Sequence, residues 1–285
     1  MTKVLVLGAT GMMGNTIFRA FTADAALETL GTVRTERDLA RLPAPLRHRL
    51  AAGIEATRFT TIECLLGDFR PEVVVNAIGI VKQLAAAADP LVIIPLNALL
   101  PHLLARACDA VGARLINLST DCVFDGRGTM YRESDFASAD DLYGRSKYLG
   151  EVDYPNAITL RTSTIGHELG NHHGLLEWFL AQSGSVRGFR KAIYSGLSTR
   201  EFARVIRDYV IPRPELRGLF HVSGDVITKY DLLLLIRDIY GKEIAVVPDD
   251  AVAIDRSLDS SRFRGITGYA PPPWVDQIRE MRDFG

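Results

Sequence analysis

The chain has 285 residues, with 33 Lys and Arg against 34 Asp and Glu and a formal net charge of −1. That balance gives neither the basic footprint of a nucleic-acid-binding domain nor an attraction to anionic membranes, so neither partner is expected. Hydrophobic content of 47% and charged content of 24% are those of an ordinary globular chain, long enough for one large core or two modest ones. Three cysteines, Cys64, Cys108 and Cys122, are odd in number, far apart and without metal-ligand spacing. They read as buried thiols of a reducing compartment. No apolar run is expected to reach membrane length, and Met1 leads directly into a strand pattern, so the expected location is cytoplasmic.

Lys3 to Leu7 is a short valine- and leucine-rich run, as for a strand buried on both faces. Gly8-Ala9-Thr10-Gly11-Met12-Met13-Gly14 follows at once, ahead of an amphipathic helix predicted from about Asn15 to Phe21. G-x-x-G-x-x-G between a buried strand and a helix is a variant of the dinucleotide fingerprint. The glycines permit a tight turn and close approach to a pyrophosphate, while helix N–H groups aim at the phosphates. A second strand is predicted over Glu28 to Val33. NAD-selective versions place an acid about twenty positions past the glycines, on the adenine ribose. Arg34 holds that place here, with Arg37 nearby, Glu28 too early and Asp38 too late. A guanidinium suits a 2′-phosphate, so NADPH is favoured and NADH stays open.

Leu39 to Leu50 alternates basic and apolar residues and reads as a solvated helix or long loop. Gly53 to Thr57 is predicted as a short third strand, Thr61 to Phe69 as a helix and Glu72 to Gly79 as a buried strand. Asp89-Pro90 opens a long helix to Ala110, in which Asn97 reads as a structural hydrogen-bonder. Leu115 to Leu118 is a strand ending in Ser119-Thr120-Asp121, and Ala157 to Ser163 is another. This alternation predicts an α/β fold, a Rossmann doubly wound parallel sheet, with ligands at the carboxyl ends of the strands. Gly8, Asn76-Gly79 and Ser119-Asp121 all fall at such ends.

Composition shifts to Gly, His and aromatics over Gly166 to Gly188. The expected domains are therefore a nucleotide-binding domain over 1–165, rejoined around 190–212, and a smaller C-terminal substrate lobe over 166–285. Ser198-Thr199-Arg200-Glu201 is a capping box ahead of Phe202 to Val210. Thr228-Lys229-Tyr230-Asp231 resembles another, ahead of a helix ending at Gly241. Leu219 to Val222 is strand-like, and Pro271-Pro272-Pro273-Trp274 introduces a last helix. His167-Glu168-Leu169-Gly170-Asn171-His172-His173 misses the i, i+4 spacing of a helical zinc motif and reads as a polar loop, so no metal is expected.

Tyr143 and Lys147 stand four apart, on one face if the segment is helical. A free phenol titrates near ~10, and a neighbouring ammonium lowers that value and makes Tyr143 a usable general acid–base. The Thr120 hydroxyl meets the same substrate oxygen from a second direction. These parts suit ketone reduction, with hydride reaching carbon while Tyr143 protonates oxygen. Asp140-Asp141 at the helix start reads as serving the helix dipole.

With these residues the chain resembles the extended short-chain dehydrogenases/reductases, and within them the dTDP-4-dehydrorhamnose reductase group of sugar-nucleotide reductases. The matches are the Gly8–Gly14 turn, Val75-Asn76-Ala77, Ser119-Thr120-Asp121-Cys122-Val123-Phe124-Asp125-Gly126, Tyr143-Gly144-Arg145-Ser146-Lys147 with Gly150-Glu151, and Leu160-Arg161-Thr162-Ser163. The resemblance implies Thr120, Tyr143 and Lys147 as catalytic residues, with Lys147 also on the nicotinamide ribose. The glycine turn makes Gly8, Thr10, Gly11, Met12, Met13 and Gly14 expected cofactor contacts, with Arg34 from its position. The resemblance adds Asn76, Ala77, Ile78, Gly79, Tyr143, Lys147, Thr162 and Ser163. Substrate contacts are expected at Val81, Lys82, Asp121, Cys122 and Val123. The implied substrate is a nucleotide-linked 4-keto sugar, and a homodimer is left open. Cys122 replaces the usual aromatic, Ile78-Gly79-Ile80-Val81-Lys82-Gln83 departs from the rhamnose enzymes, and the second lobe, Asp255 to Asp259 included, matches none of their motifs. Two alternatives stay open: an epimerase or dehydratase that recycles its hydride, and a non-catalytic regulatory subunit like that of methionine adenosyltransferase.

Overall fold

The protein is described here from a computed structural model that covers residues 1–170 and 172–285. Its first strands are β1 (Thr2–Leu7), β2 (Leu27–Thr32), β3 (Leu50–Ala51), β4 (Val73–Asn76), β5 (Arg114–Thr120) and β6 (Ala157–Thr162). Along each, successive side chains enter opposite layers, as a period of two requires. Val4 and Val6 join one core with Val73, Val75 and Ile116, while Leu5 and Leu7 join the other with Val74 and Leu115. Both faces are covered by helices, which is why these strands read as unbroken apolar runs.

Further along come β7 (Thr164–Ile165), β8 (Ser185–Tyr194), β9 (Leu197–Ser198), β10 (Gly218–His221), β11 (Ile227–Thr228) and β12 (Ala245–Asp255). The main sheet has seven strands in the order β10-β6-β5-β4-β1-β2-β3, every pair parallel. Strand order reverses at β1, between β4 and β2, so a crevice opens beyond the carboxyl ends there. The chain rejoins this layer through the helix Thr199–Val205, packed on the helix Met12–Thr22, and through β10, which lies beyond the expected 190–212.

A second sheet, β11-β8-β12, carries the lobe. Leu176, Phe179, Leu232, Leu233, Ile236, Trp274 and Ile278 pack together as its core. β12 escapes sequence reading because Pro248 and the acids Asp249 and Asp250 interrupt it. The structure accommodates them at a sheet edge, with a register shift between Asp249 and Ala253.

Other expectations need correcting. The third strand is Leu50–Ala51, and Gly53 to Thr57 pairs with no strand. The first helix begins at Met12, so Gly14 sits in its first turn. Cys64 is exposed, because the helix Thr60–Phe69 buries only Ile62 and Leu66. The helix Pro90–Ala110 is long and apolar enough, by length and composition, to cross a membrane, and it buries Leu100, Leu104, Ala105 and Cys108 in the core under the sheet. Asn171, part of the histidine stretch, lies outside the described residues.

Candidate active site

β1 runs into Gly8, whose φ of +85° turns the chain back on itself. Gly8 N–H donates to Thr32 Oγ1 at 3.0 Å, and Gly11 N–H to Gly8 O at 3.0 Å. Gly11 caps the helix Met12–Thr22 without a side-chain hydrogen bond, which leaves first-turn N–H groups for another acceptor. A Cβ at Gly14 would lie 2.1 Å from Gly8 O, so only glycine lets helix and turn close this tightly. A dinucleotide pyrophosphate is the anion this cradle fits.

The second wall follows β4. Asn76 donates to Asn117 Oδ1 at 3.0 Å and accepts from Ile78 N–H at 3.2 Å. Asn97 holds the next residue pairwise, donating to Ile80 O at 3.0 Å and accepting from Ile80 N–H at 2.8 Å. It lies in the π-helical turn Ile94–Leu99, an irregularity of the kind that re-aims side chains at functional sites. Asn97 is therefore structural, as its sequence position implies.

The third wall joins the end of β5 to the helix Leu142–Leu149. Asp141 caps that helix, accepting from Gly144 N–H at 2.8 Å through Oδ1, while its Oδ2 accepts from Lys82 Nζ at 2.6 Å. The expected role is in the helix dipole; the structure gives Asp141 the N-cap, and a tie to Lys82 besides. A Cβ at Gly144 would stand 2.2 Å from Cys122 O, so the helix presses directly on the loop after β5. Tyr143 and Thr120 line the same cavity from these two elements. Thr120 Oγ1 donates to Asp121 Oδ1 at 3.1 Å and accepts from Cys122 N–H at 3.1 Å. Lys147 Nζ donates to Leu118 O at 2.7 Å.

The electrostatics depart from the sequence expectation. Burial pushes the Tyr143 phenol well above its ordinary value; Cys122, Asp121 and Asp141 add to the rise and the Thr120 hydroxyl opposes it. The Lys147 ammonium is engaged by the Leu118 carbonyl, and burial dominates the shift of the phenol. Tyr143 is thus held protonated, the state a proton donor needs. Burial brings Lys147 down to about 8, against the opposing pull of Glu151.

Glu151 lies just past the end of the helix Leu142–Leu149, after its C-cap Gly150. Its carboxylate accepts from Ser119 Oγ at 2.7 Å and from Arg161 Nε and Nη2 at 2.7 and 2.6 Å. Arg161 is only 2% exposed, its guanidinium over the Phe124 ring and its Nη1 on His221 Nε2 at 3.2 Å. Because Arg161 can only donate, His221 Nε2 accepts, and Nδ1–H donates to Tyr131 O at 2.9 Å. This network clamps the strand end that presents Thr120.

Two adjoining cavities, of about 260 and 530 Å³, lie along these walls. The smaller one is lined by Met12, Met13, Asn76 to Gly79, Thr120, Tyr143, Lys147, Thr162 and Ser163. The larger one takes in Thr10, Gly11, Arg34, Val81, Lys82, Asp121 and Cys122. Gly8 and Gly14 contribute backbone shape from beneath. Val123 lines neither cavity: it is fully buried against Phe124, Tyr131 and Leu258, a correction to its expected substrate contact.

Sequence reading missed the lobe's side of the larger cavity, lined by Tyr194, Lys229, Ile254 and Arg256. Lys229 Nζ sits 5.2 Å from the Tyr194 ring centroid, and burial lowers its pKa. Arg256 spends Nε on Phe124 O at 2.8 Å. Asp121 lies between the lobe cations and Thr120; burial pushes its carboxyl up, while Arg256, Thr120, Cys122 and Lys229 oppose. The Tyr194 hydroxyl is buried without a hydrogen-bond partner among the described residues. The available signal was the capping box at Thr228, which places Lys229 in the first turn of the helix Lys229–Tyr240. Within the histidine stretch, His167 pairs with Glu177 at 2.7 Å and Tyr240 at 2.9 Å.

A doubly wound parallel sheet, a glycine-rich β1 turn and a Thr-Tyr-Lys wall at the strand ends define an extended short-chain dehydrogenase/reductase, a class of NAD(P)-dependent oxidoreductase. Residues 1–283 match the family described as RmlD substrate binding domain, and the chain belongs to that family. Its relatives include dTDP-4-dehydrorhamnose reductase from Salmonella typhimurium, 26% identical over 282 residues, covering 86% of this chain and 92% of that one. The beta subunit of methionine adenosyltransferase 2 from Xenopus tropicalis is 26% identical over 301 residues, covering 97% of this chain and 80% of that protein. In fold, the chain resembles a Bacillus anthracis dTDP-4-dehydrorhamnose reductase solved in complex with NADP, with a TM-score of 0.80, 19% identity and 99% of each chain covered.

Proposed function

We propose that this protein is an NADPH-dependent reductase of a nucleotide-activated 4-keto sugar. The observation that carries the reading is the wall shared by Thr120, Tyr143 and Lys147. A phenol kept protonated by burial stands beside a hydroxyl, in the cavity that the nucleotide-binding turn opens into. Bound NADPH supplies a hydride to the ketone carbon. Tyr143 gives its proton to the ketone oxygen, completing the alcohol, and Thr120 orients that oxygen. Lys147, charged below about 8, holds the ribose and stabilises the phenolate left behind. On the lobe side, Lys229 and the unpaired end of the Arg256 guanidinium suit the diphosphate of the activated sugar. Asp121, Cys122, Val81 and Lys82 face the sugar itself.

A second reading is favoured by one observation, the 26% identity to a methionine adenosyltransferase 2 beta subunit across 97% of this chain. It makes the protein a regulatory subunit on the same scaffold. Against it stands the intact Thr120, Tyr143 and Lys147 constellation. Mixing the protein with NADPH and a panel of nucleoside-diphosphate-linked 4-keto sugars separates the two. Consumption of NADPH with formation of the sugar alcohol supports the reductase. Cofactor binding without turnover on every member of the panel counts against it.

A further inference from the structure

Arg34 is not alone at the mouth of the larger cavity. Arg41 lines it too, together with Thr10 and Gly11 of the nucleotide turn, whereas Arg37 does not. The segment between them is braced by its own hydrogen bonds. Thr35 caps the short helix Glu36–Leu39, and Asp38 Oδ2 accepts from both Thr35 N–H at 3.0 Å and Thr35 Oγ1 at 2.8 Å. The other carboxylate oxygen of Asp38 stands 3.5 Å from Arg41 Nη1. One carboxylate therefore fixes both ends of the turn. Arg34 makes no ion pair or side-chain hydrogen bond among the described residues, so its donors are free. Arg41 reaches further, and its Nη2 donates to the carbonyl of Leu169 in the lobe.

We infer that Arg41 is a specificity-determining residue. With Arg34 it grips the 2′-phosphate of an adenosine nucleotide, and through Leu169 it ties that phosphate to the lobe. This inference rests on the cofactor reading given above. Two guanidinium groups at one mouth meet a doubly charged phosphate with convergent charge-assisted hydrogen bonds, which an unphosphorylated ribose does not offer. Asp38, the acid beside them, is already committed to Thr35 and Arg41, so it does not act as the ribose-binding carboxylate of an NAD site. Because Arg41 is held from both sides, an anion placed between it and Arg34 also steadies the strand-end loop against the lobe segment at Leu169.

The test uses the whole protein and binding alone. Fluorescence titration gives dissociation constants for NADPH and NADH, with adenosine 2′,5′-bisphosphate and AMP as fragment probes. The wild type is expected to prefer both phosphorylated ligands. Arg41→Ala should weaken NADPH and the bisphosphate about tenfold and leave NADH and AMP within about twofold, as for the loss of one hydrogen-bonded charge. Arg41→Gln keeps an amide donor for Leu169 O and should lose the same selectivity. In the wild type the bisphosphate should slow amide hydrogen exchange at Leu169 and Gly170 more than AMP does, a difference that Arg41→Ala removes. If the wild type prefers NADPH and Arg41→Ala keeps that preference, or weakens NADPH and NADH alike, the inference fails and the cofactor reading stands. If the wild type binds neither dinucleotide, the cofactor reading itself fails.

Discussion

Replacing Glu151 by alanine strips the buried Arg161 guanidinium of its carboxylate partner. Arg161 is 2% exposed, and the two lost contacts are 2.7 and 2.6 Å long. Removing one member of a buried pair leaves an uncompensated charge and costs about 3–5 kcal/mol. Ser119 Oγ loses its acceptor in the same step. His221 cannot compensate, because its Nε2 already accepts from Arg161 and its position beside that cation opposes protonation. For a chain of this size, about 2–3 °C per kcal/mol translates the loss into a fall in Tm of roughly 6–15 °C. The assay is thermal and urea unfolding of the wild type, Glu151→Ala and the double variant Glu151→Leu/Arg161→Met. The double variant removes both charges and should lose less than Glu151→Ala. A loss below about 1 kcal/mol for Glu151→Ala, the scale of an exposed pair, would refute the reasoning.

Lys147 is brought down to about 8 by burial, so its ammonium deprotonates as pH rises through that value and turnover should decline above it. Glu151→Gln removes the opposing charge and should move that alkaline limb to lower pH in a kcat profile; an unmoved limb would assign it to another group. His221 is brought down to about 4 by burial and by Arg161. Its folded value lies below the unfolded one, so its neutral form contributes stability above pH ~6.5 that is lost as pH falls toward 4, about 3 kcal/mol in all. Urea unfolding from pH 7 to 4 should show that loss, and His221→Gln should flatten it.

Much of this site is legible in the sequence because it sits where chain order alone fixes geometry. In a parallel sheet, residues just past a buried strand come to one edge, so Gly8, Asn76 and Thr120 assemble from their positions in the pattern. Tyr143 and Lys147 follow from helical spacing. What is not legible depends on three-dimensional partners. Lys229 and Arg256 reach the cavity only because β8 and β12 bring the lobe over the cleft, and β12 hides its strand character behind Pro248 and two acids. The phenol's upward shift is likewise a matter of burial, which a four-residue spacing does not reveal. Val123 is expected as a substrate contact, yet the turn Asp121–Val123 directs it into the core.

The central claim is that Tyr143 donates the proton in ketone reduction. The direct measurement is steady-state NADPH oxidation with the best nucleotide-linked 4-keto sugar, comparing wild type with Tyr143→Phe, alongside NADPH titration of both. Phenylalanine keeps the ring and removes only the donor. The account predicts a fall in kcat of at least ~10²-fold with the NADPH dissociation constant little changed. Near wild-type turnover in Tyr143→Phe would contradict it.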